Sequence, residues 1–279
     1  MDETKGQRVN SNRLYFLHVP KTAGKGLSSE LKSELNKNNI SSYTTTQYPN
    51  DYPISNEVYI AGHLGTYPIE KFPGISVSCL VRNPIEARVS YFNFIHGRND
   101  LDTPRYRSID NYFDKLKYYL FKDEGFFDHN NYQSRHICNP TDEVVFQNVV
   151  EFEKNLDDIY KKHNFELGNA FNWFIKNDKT SFENAKNRIE SFSIVNTVDD
   201  IGSHYVAISK WFKDNHGIDI SLNSKKISNS SSTLYKGKIY TTKDLVEMLT
   251  DNDKEKILEN NEIDYKVYSM VREREINEK

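Results

Sequence analysis

Five side chains of this 279-residue sequence are the types that bind anions or move protons, and they fall at or beyond the ends of hydrophobic runs. Lys21 and Lys25 flank Gly24 in the stretch LYFLHVPKTAGKGLSSEL. His63 follows Gly62 in EVYIAGHLG. Arg82 closes VSCLV, and Ser90 lies eight residues beyond it. Lysines beside a helix start make an anion site, because the first-turn N–H groups lack partners and the helix dipole is positive there. A histidine with an ordinary pKa of about 6.5 suits proton abstraction near neutral pH. Arginine grips a phosphate with paired donors, and a serine hydroxyl adds another hydrogen bond. The chemistry implied is the holding of a phosphate-like anion beside a group that can take a proton. The plain alternatives are a strand–helix corner with solvated lysines, a loop histidine bonded to backbone, and an arginine that caps a strand above a buried serine.

The pattern also says what must position these groups. Residues 14–19 form an apolar run of strand length, Pro20 breaks it, and Leu27, Leu31 and Leu35 begin a helical stripe. This predicts a strand, a tight loop given backbone freedom by Gly24 and Gly26, and a helix whose start points back over the strand end. Residues 57–60 and 75–81 read as further strands, the second followed by a helix with Pro84 in its first turn. Ligands bind outside the carboxyl ends of the strands in open α/β sheets, so His63 is delivered to the same rim as Lys21. A Walker phosphate loop is argued against: Val19 occupies the place of its first glycine, and Gly26 rather than Ser or Thr follows Lys25.

Two of these segments carry a resemblance. HVPKTAGKG resembles the 5′-phosphosulfate loop of sulfotransferases that use 3′-phosphoadenosine 5′-phosphosulfate (PAPS). VSCLVRNPIEARVSYF resembles the 3′-phosphate site of the same family, with Arg82, Asn83, Pro84, Glu86 and Ser90 in register. The similarity is to the carbohydrate branch, which includes heparan and chondroitin sulfotransferases. It implies an α/β fold with a central, mainly parallel sheet flanked by helices, a P-loop-like sulfotransferase fold with a helical C-terminal half. It implies PAPS as donor, no metal, and a carbohydrate or glycan acceptor. Under it, His63 is the catalytic base toward a sugar hydroxyl. Lys21 stabilises the leaving phosphate, and Thr22 with the backbone of Ala23, Gly24, Lys25, Gly26 and Leu27 holds the 5′-phosphate. Arg82 and Ser90 hold the 3′-phosphate. Lys25 and Gly26 replace two hydroxyl residues of the family pattern, and Ala87-Arg88 displaces its arginine after the glutamate. The Lys25-Gly26 change leaves open a binding module of the same fold without catalysis, and a P-loop kinase is a more distant alternative.

Later segments extend the reading. NYQSRHIC resembles the family's N-x-Q-[TS]-R segment through Asn131, Gln133 and Arg135, which either line an acceptor cleft or satisfy buried backbone. Arg98, Arg105 and Arg107 lie in a polar loop beside it. In SFSIVNTVDD, Asn196 and Asp199 replace the family's Gly and Glu beside a late parallel strand. KKISNSSSTLYKGK, with Lys225, Lys226, Lys236 and Lys238, reads as a loop that closes over a nucleotide or simply as a flexible loop. Helices are expected over 142–163, 165–174, 181–192, 242–249 and 251–274, with Ser181 as one N-cap.

Composition sets the bounds. With no linker or repeat, the expectation is a tail over 1–13 and one domain over 14–279. Aromatics at 13% of residues must carry much of the core. A net charge of −3 argues against a general nucleic-acid partner. Without a membrane span or secretory h-region, the chain is expected to be soluble and cytoplasmic. Cys79 and Cys138 cannot build a disulfide scaffold, and no His/Cys cluster has metal-ligand spacing.

Overall fold

The structure, a computed structural model, describes residues 11–45, 57–63, 65–66, 68–69, 72–97, 106, 108–122, 130–138, 180–222 and 232–278. Five parallel strands form one sheet in the order β2-β3-β1-β4-β5: β1 Ser11–Leu17, β2 Ser42–Thr45, β3 Tyr59–Gly62, β4 Ile75–Val81 and β5 Ile194–Thr197. All four neighbouring pairs are parallel. The predicted α/β class and the late parallel strand therefore hold.

A parallel sheet with helices on both faces needs strands that are apolar on both sides, and β1 has that composition. Tyr15 and Leu17 join Val77, Cys79 and Val81 on one face, beneath α4 (Tyr132–Cys138), α5 (Phe182–Ser191) and α9 (Glu262–Asn277). Leu14 and Phe16 join Tyr59, Ala61 and Leu80 on the other, beneath α1 (Gly24–Lys37) and α6 (Ile201–His216). The Leu27–Leu31–Leu35 stripe of α1 is fully buried there. Each leucine contributes about 1.5–3 kcal/mol over exposure. A third cluster joins α2 (Pro84–Gly97) to α3 (Tyr112–Phe121), α7 (Thr242–Met248) and α8 (Asp251–Asn260) through Val89, Phe92, Tyr112, Leu116, Leu245 and Ile257.

Several boundaries differ from expectation. β1 begins at Ser11, inside the expected tail, because its early residues pair with β4 across a register shift. β3 runs two residues later than read, since Val58 and Tyr59 N–H groups first bond the Ser41 carbonyl and the ladder with β1 then reaches Gly62. The expected 251–274 helix is two helices broken at Asn261, and its cap is Thr250. Thr241, not Thr242, caps α7, through a capping box with Asp244. Ser181 caps α5 as expected, accepting from Asn184 N–H. Residues 232–241, read as loop, form the hairpin β6 (Ser232–Tyr235) and β7 (Lys238–Thr241). Lys236 and Gly237, both at positive φ, supply its two-residue turn. The helices expected over 142–163 and 165–174 lie outside the described residues.

Candidate functional site

The β1–β3 register places Leu17 opposite Gly62, so the chains leave the sheet at His18 and His63 side by side. His18 N–H continues the ladder onto the Gly62 carbonyl at 3.1 Å, and the two imidazoles lie 4.4 Å apart. His63 Nδ1 is 2.6 Å from the His18 carbonyl. A carbonyl only accepts, so Nδ1 carries the proton and the Nε2 lone pair is left open, as a base requires. Burial lowers the His63 pKa, partly opposed by that hydrogen bond.

His136 of α4 is held the same way. Its Nδ1 donates to the Tyr132 carbonyl at 2.9 Å, and its ring meets His63 edge-on at 6.4 Å. Burial is the first cause pulling His18 down to about 3 and His136 to about 4. Three neutral imidazoles thus surround the mouth of the loop that carries Lys21.

The loop between β1 and α1 is tied by its carbonyls. Thr22 Oγ1 donates to Val19 O at 2.8 Å, Tyr132 OH to Pro20 O at 2.8 Å, and Arg82 Nη1 to Lys21 O at 3.2 Å. Three successive carbonyls are thus occupied just before the α1 start. No side chain caps it and no acidic residue stands in its first turn. Its N–H groups have no intrahelical acceptors, and such a terminus favours anions. Lys21 Nζ lies 4.4 Å above the Phe94 ring.

The glycines act differently from expectation. Positive φ falls on Lys21 (67°) and Ala23 (63°), not on Gly24 or Gly26. Such non-glycine backbone costs on the order of 1–3 kcal/mol each. Gly24 is required for space: a Cβ there would drive into the His18 ring and come within 2.7 Å of Phe16 Cε1. Thr22 is fully buried with its hydroxyl spent on the turn, so its hydroxyl fastens the loop instead of offering itself to a ligand. Lys25 lies in the first turn of α1, and its side chain is outside the described residues.

Arg82 stands at the end of β4, 8% exposed. Its Nε and Nη2 donate to Glu86 Oε2 at 3.1 and 3.0 Å. The side chain of Glu86 is itself 41% exposed. Gln133 fixes the Arg82 backbone by accepting from its N–H and donating to its carbonyl, both at 2.9 Å. Ser90 lies in α2, fully buried, so a phosphate reaches its hydroxyl only if α2 moves.

The N-x-Q-[TS]-R segment resolves toward backbone satisfaction. Asn131 Oδ1 accepts from Ile263 and Asp264 N–H at the start of α9. In return Asp264 accepts from the N–H groups of Gln133 and Ser134 and from the Ser134 hydroxyl. Two helix starts cap each other, and Arg135 is half-buried. Asp199 accepts from Tyr268 OH at 2.6 Å, a packing role.

The geometry brings Lys21, His63 and Arg82 to one rim, with the backbone of residues 22–27. It adds His18, Tyr132 and His136, which were not singled out as site residues. Tyr132 and His136 are one turn apart on a helix, and His18 opens the loop motif itself. Among the described residues no group of three or more His, Cys, Asp or Glu side chains is placed to hold a metal, and no helix is long and apolar enough to cross a membrane. Cys79 and Cys138 are buried thiols that are not joined in a disulfide. Arg98, Arg105, Arg107, Lys225 and Lys226 lie outside the described residues. No family model and no curated protein matches this chain.

Proposed function

We propose that this chain is a sulfotransferase of P-loop-like fold that moves a sulfuryl group from PAPS to a hydroxyl of a carbohydrate acceptor. The observation that carries the reading is the rim itself: an uncapped helix start with Lys21, an imidazole with its Nε2 open, and a strand-end arginine tied to the loop. The two family-like motifs meet there through the Arg82–Lys21 hydrogen bond.

In this reading the acceptor oxygen forms a bond to sulfur while the bond from sulfur to the 5′-phosphate oxygen breaks, and that electron pair stays on the phosphate. His63 Nε2 takes the acceptor proton. Lys21 and the α1 N-terminus stabilise the charge left on the phosphate, the kind of preorganised stabilisation that dominates phosphoryl-type transfer. Arg82 anchors the 3′-phosphate by exchanging Glu86, whose carboxylate is partly solvated, for the ligand. Lys25 and Gly26 in place of hydroxyls favour a second reading, a nucleotide-binding module without turnover.

The test is calorimetric binding of 3′-phosphoadenosine 5′-phosphate against ADP and 5′-AMP. A preference for the 3′-phosphate that Arg82→Ala reduces tenfold or more supports the reading. Equal binding of all three, or phosphoryl transfer from ATP with Mg²⁺ and none from PAPS, overturns it. Donor binding with no product on any carbohydrate would favour the second reading.

A further inference from the structure

A cation and an exposed ring meet at the mouth of the loop. Lys21 Nζ lies 4.4 Å above the Phe94 ring. Lys21 is half-buried and Phe94 is 38% exposed, so the pair opens on solvent. Phe94 stands in the last turn of α2, and core packing does not account for it there. Phe92 is fully buried with Tyr91 packed beside it, whereas Phe94 belongs to none of the three clusters among the described residues. Tyr91 lies 6.2 Å from Phe94 and 6.0 Å from Tyr132, whose OH donates to the Pro20 carbonyl. One row of rings from α2 and α4 therefore holds Lys21 at both ends, by the peptide before it and by its ammonium. Arg82 holds the peptide after it, and the residue is kept at a φ of 67°. Backbone strain of that kind persists only where the surroundings over-determine it. The ammonium also stays near the α1 start. The His18 ring lies against Gly24 there, and His18 is kept neutral by burial first, then by His63, His136 and Lys21.

We propose that Phe94 is a positioning residue for Lys21, its ring face holding the ammonium ready for an oxyanion at the α1 start. That the oxyanion is the 5′-phosphate of PAPS rests on the sulfotransferase reading; the positioning does not. Lysine is a point charge on a flexible four-carbon stem, so by itself it is poorly placed. A ring face attracts the ammonium without cancelling its charge, as a carboxylate would, and leaves it pre-set for an anion.

The experiment uses the full chain with Phe94→Leu, which keeps apolar bulk, and Phe94→Tyr, which keeps the ring, each alone and combined with Lys21→Met. Calorimetry with 3′-phosphoadenosine 5′-phosphate, and thermal unfolding in sodium sulfate against sodium chloride, read anion binding. NMR of ¹³C-lysine-labelled protein reads the contact itself, through the Lys21 ε-methylene signal identified by its loss in Lys21→Met. That signal should be moved upfield by the ring in the wild type and in Phe94→Tyr, and return to the ordinary lysine position in Phe94→Leu. Phe94→Leu should weaken anion binding about two- to fivefold, the worth of a cation–π contact at an exposed site, and Phe94→Tyr should restore it. In the Lys21→Met background, Phe94→Leu should change nothing. An unshifted Lys21 signal in the wild type, unchanged affinity in Phe94→Leu, or no recovery in Phe94→Tyr overturns the proposal. So does an equal loss in the Lys21→Met background, because Phe94 would then act on the ligand directly. A wild type that binds no nucleotide, yet shows a sulfate response dependent on both Phe94 and Lys21, upholds the proposal and counts against the sulfotransferase reading. No response to either anion overturns both.

Discussion

Replacing Gly24 with alanine separates the two reasons a glycine can stand at the start of a helix. Gly24 is not at positive φ, so if space were no constraint alanine would stabilise α1 by up to about 1 kcal/mol through helix propensity. The structure gives the opposite sign. The added Cβ meets two atoms of the His18 ring and lies 2.7 Å from Phe16 Cε1. His18 has little room to yield, with the His63 ring tilted against it at 4.4 Å and Phe16 stacked at 5.6 Å. Overpacking of this kind costs typically 1–3 kcal/mol. Net of propensity, Gly24→Ala should lose about 1–2 kcal/mol, or roughly 2–8 °C in Tm at about 2–4 °C per kcal/mol for a larger domain. Any shift of His18 also moves its carbonyl, which orients His63, so turnover should fall as well. Gly202→Ala is the internal control: it is also in a first helical turn, and a Cβ there meets nothing within 4 Å. Urea and thermal unfolding of both variants decide the point. A Gly24→Ala protein as stable as wild type would refute the close-packing argument.

His63→Ala should reduce turnover by about two orders of magnitude with donor affinity retained. Because burial lowers the His63 pKa, the acid limb of kcat/KM in the wild type should lie below pH 6.5, and a limb above 7 would contradict the geometry. Acid stability follows from His18, His136 and His204, whose folded values are depressed to about 3, 4 and 3, chiefly by burial. The unfolded chain takes up these protons near pH 6.5 and the folded chain does not, so stability is full above 6.5 and falls as pH drops toward 4. The slope is about 1.4 kcal/mol per pH unit for each histidine. Urea midpoints at pH 7.5, 6.5 and 5.5 measure it, and His204→Gln should remove one proton's share. Asp264→Ala should cost about 2–4 kcal/mol, because it strips the donors of Gln133 and Ser134 at the start of α4. A loss below 1 kcal/mol in unfolding would show that the reciprocal caps contribute little.

Much of this was legible because local chemistry and periodicity carry it. The strand–loop–helix from residue 14 onward followed from an apolar run, a proline and a leucine stripe, while the start of β1 at Ser11 did not. Arg82 and His63 could be assigned to one rim because parallel strands present their carboxyl ends together. The hairpin at 232–241 was legible in principle: a Lys-Gly pair between two β-branched and aromatic runs is a turn signal, hidden by the serine-rich stretch before it. What sequence could not supply were the long-range contacts that set each group's state. The register of β1 against β3 fixes the His63 tautomer through the His18 carbonyl. The approach of α4 brings Tyr132 and His136 over the loop from more than a hundred residues away. The burial of α2 encloses Ser90 and lays Arg88 over the Tyr119 ring. Residue type determined which groups could bind anions or protons, since that is intrinsic to each side chain. Tertiary structure decided which are open, which are spent on backbone and which are desolvated, because those depend on neighbours that only folding brings together.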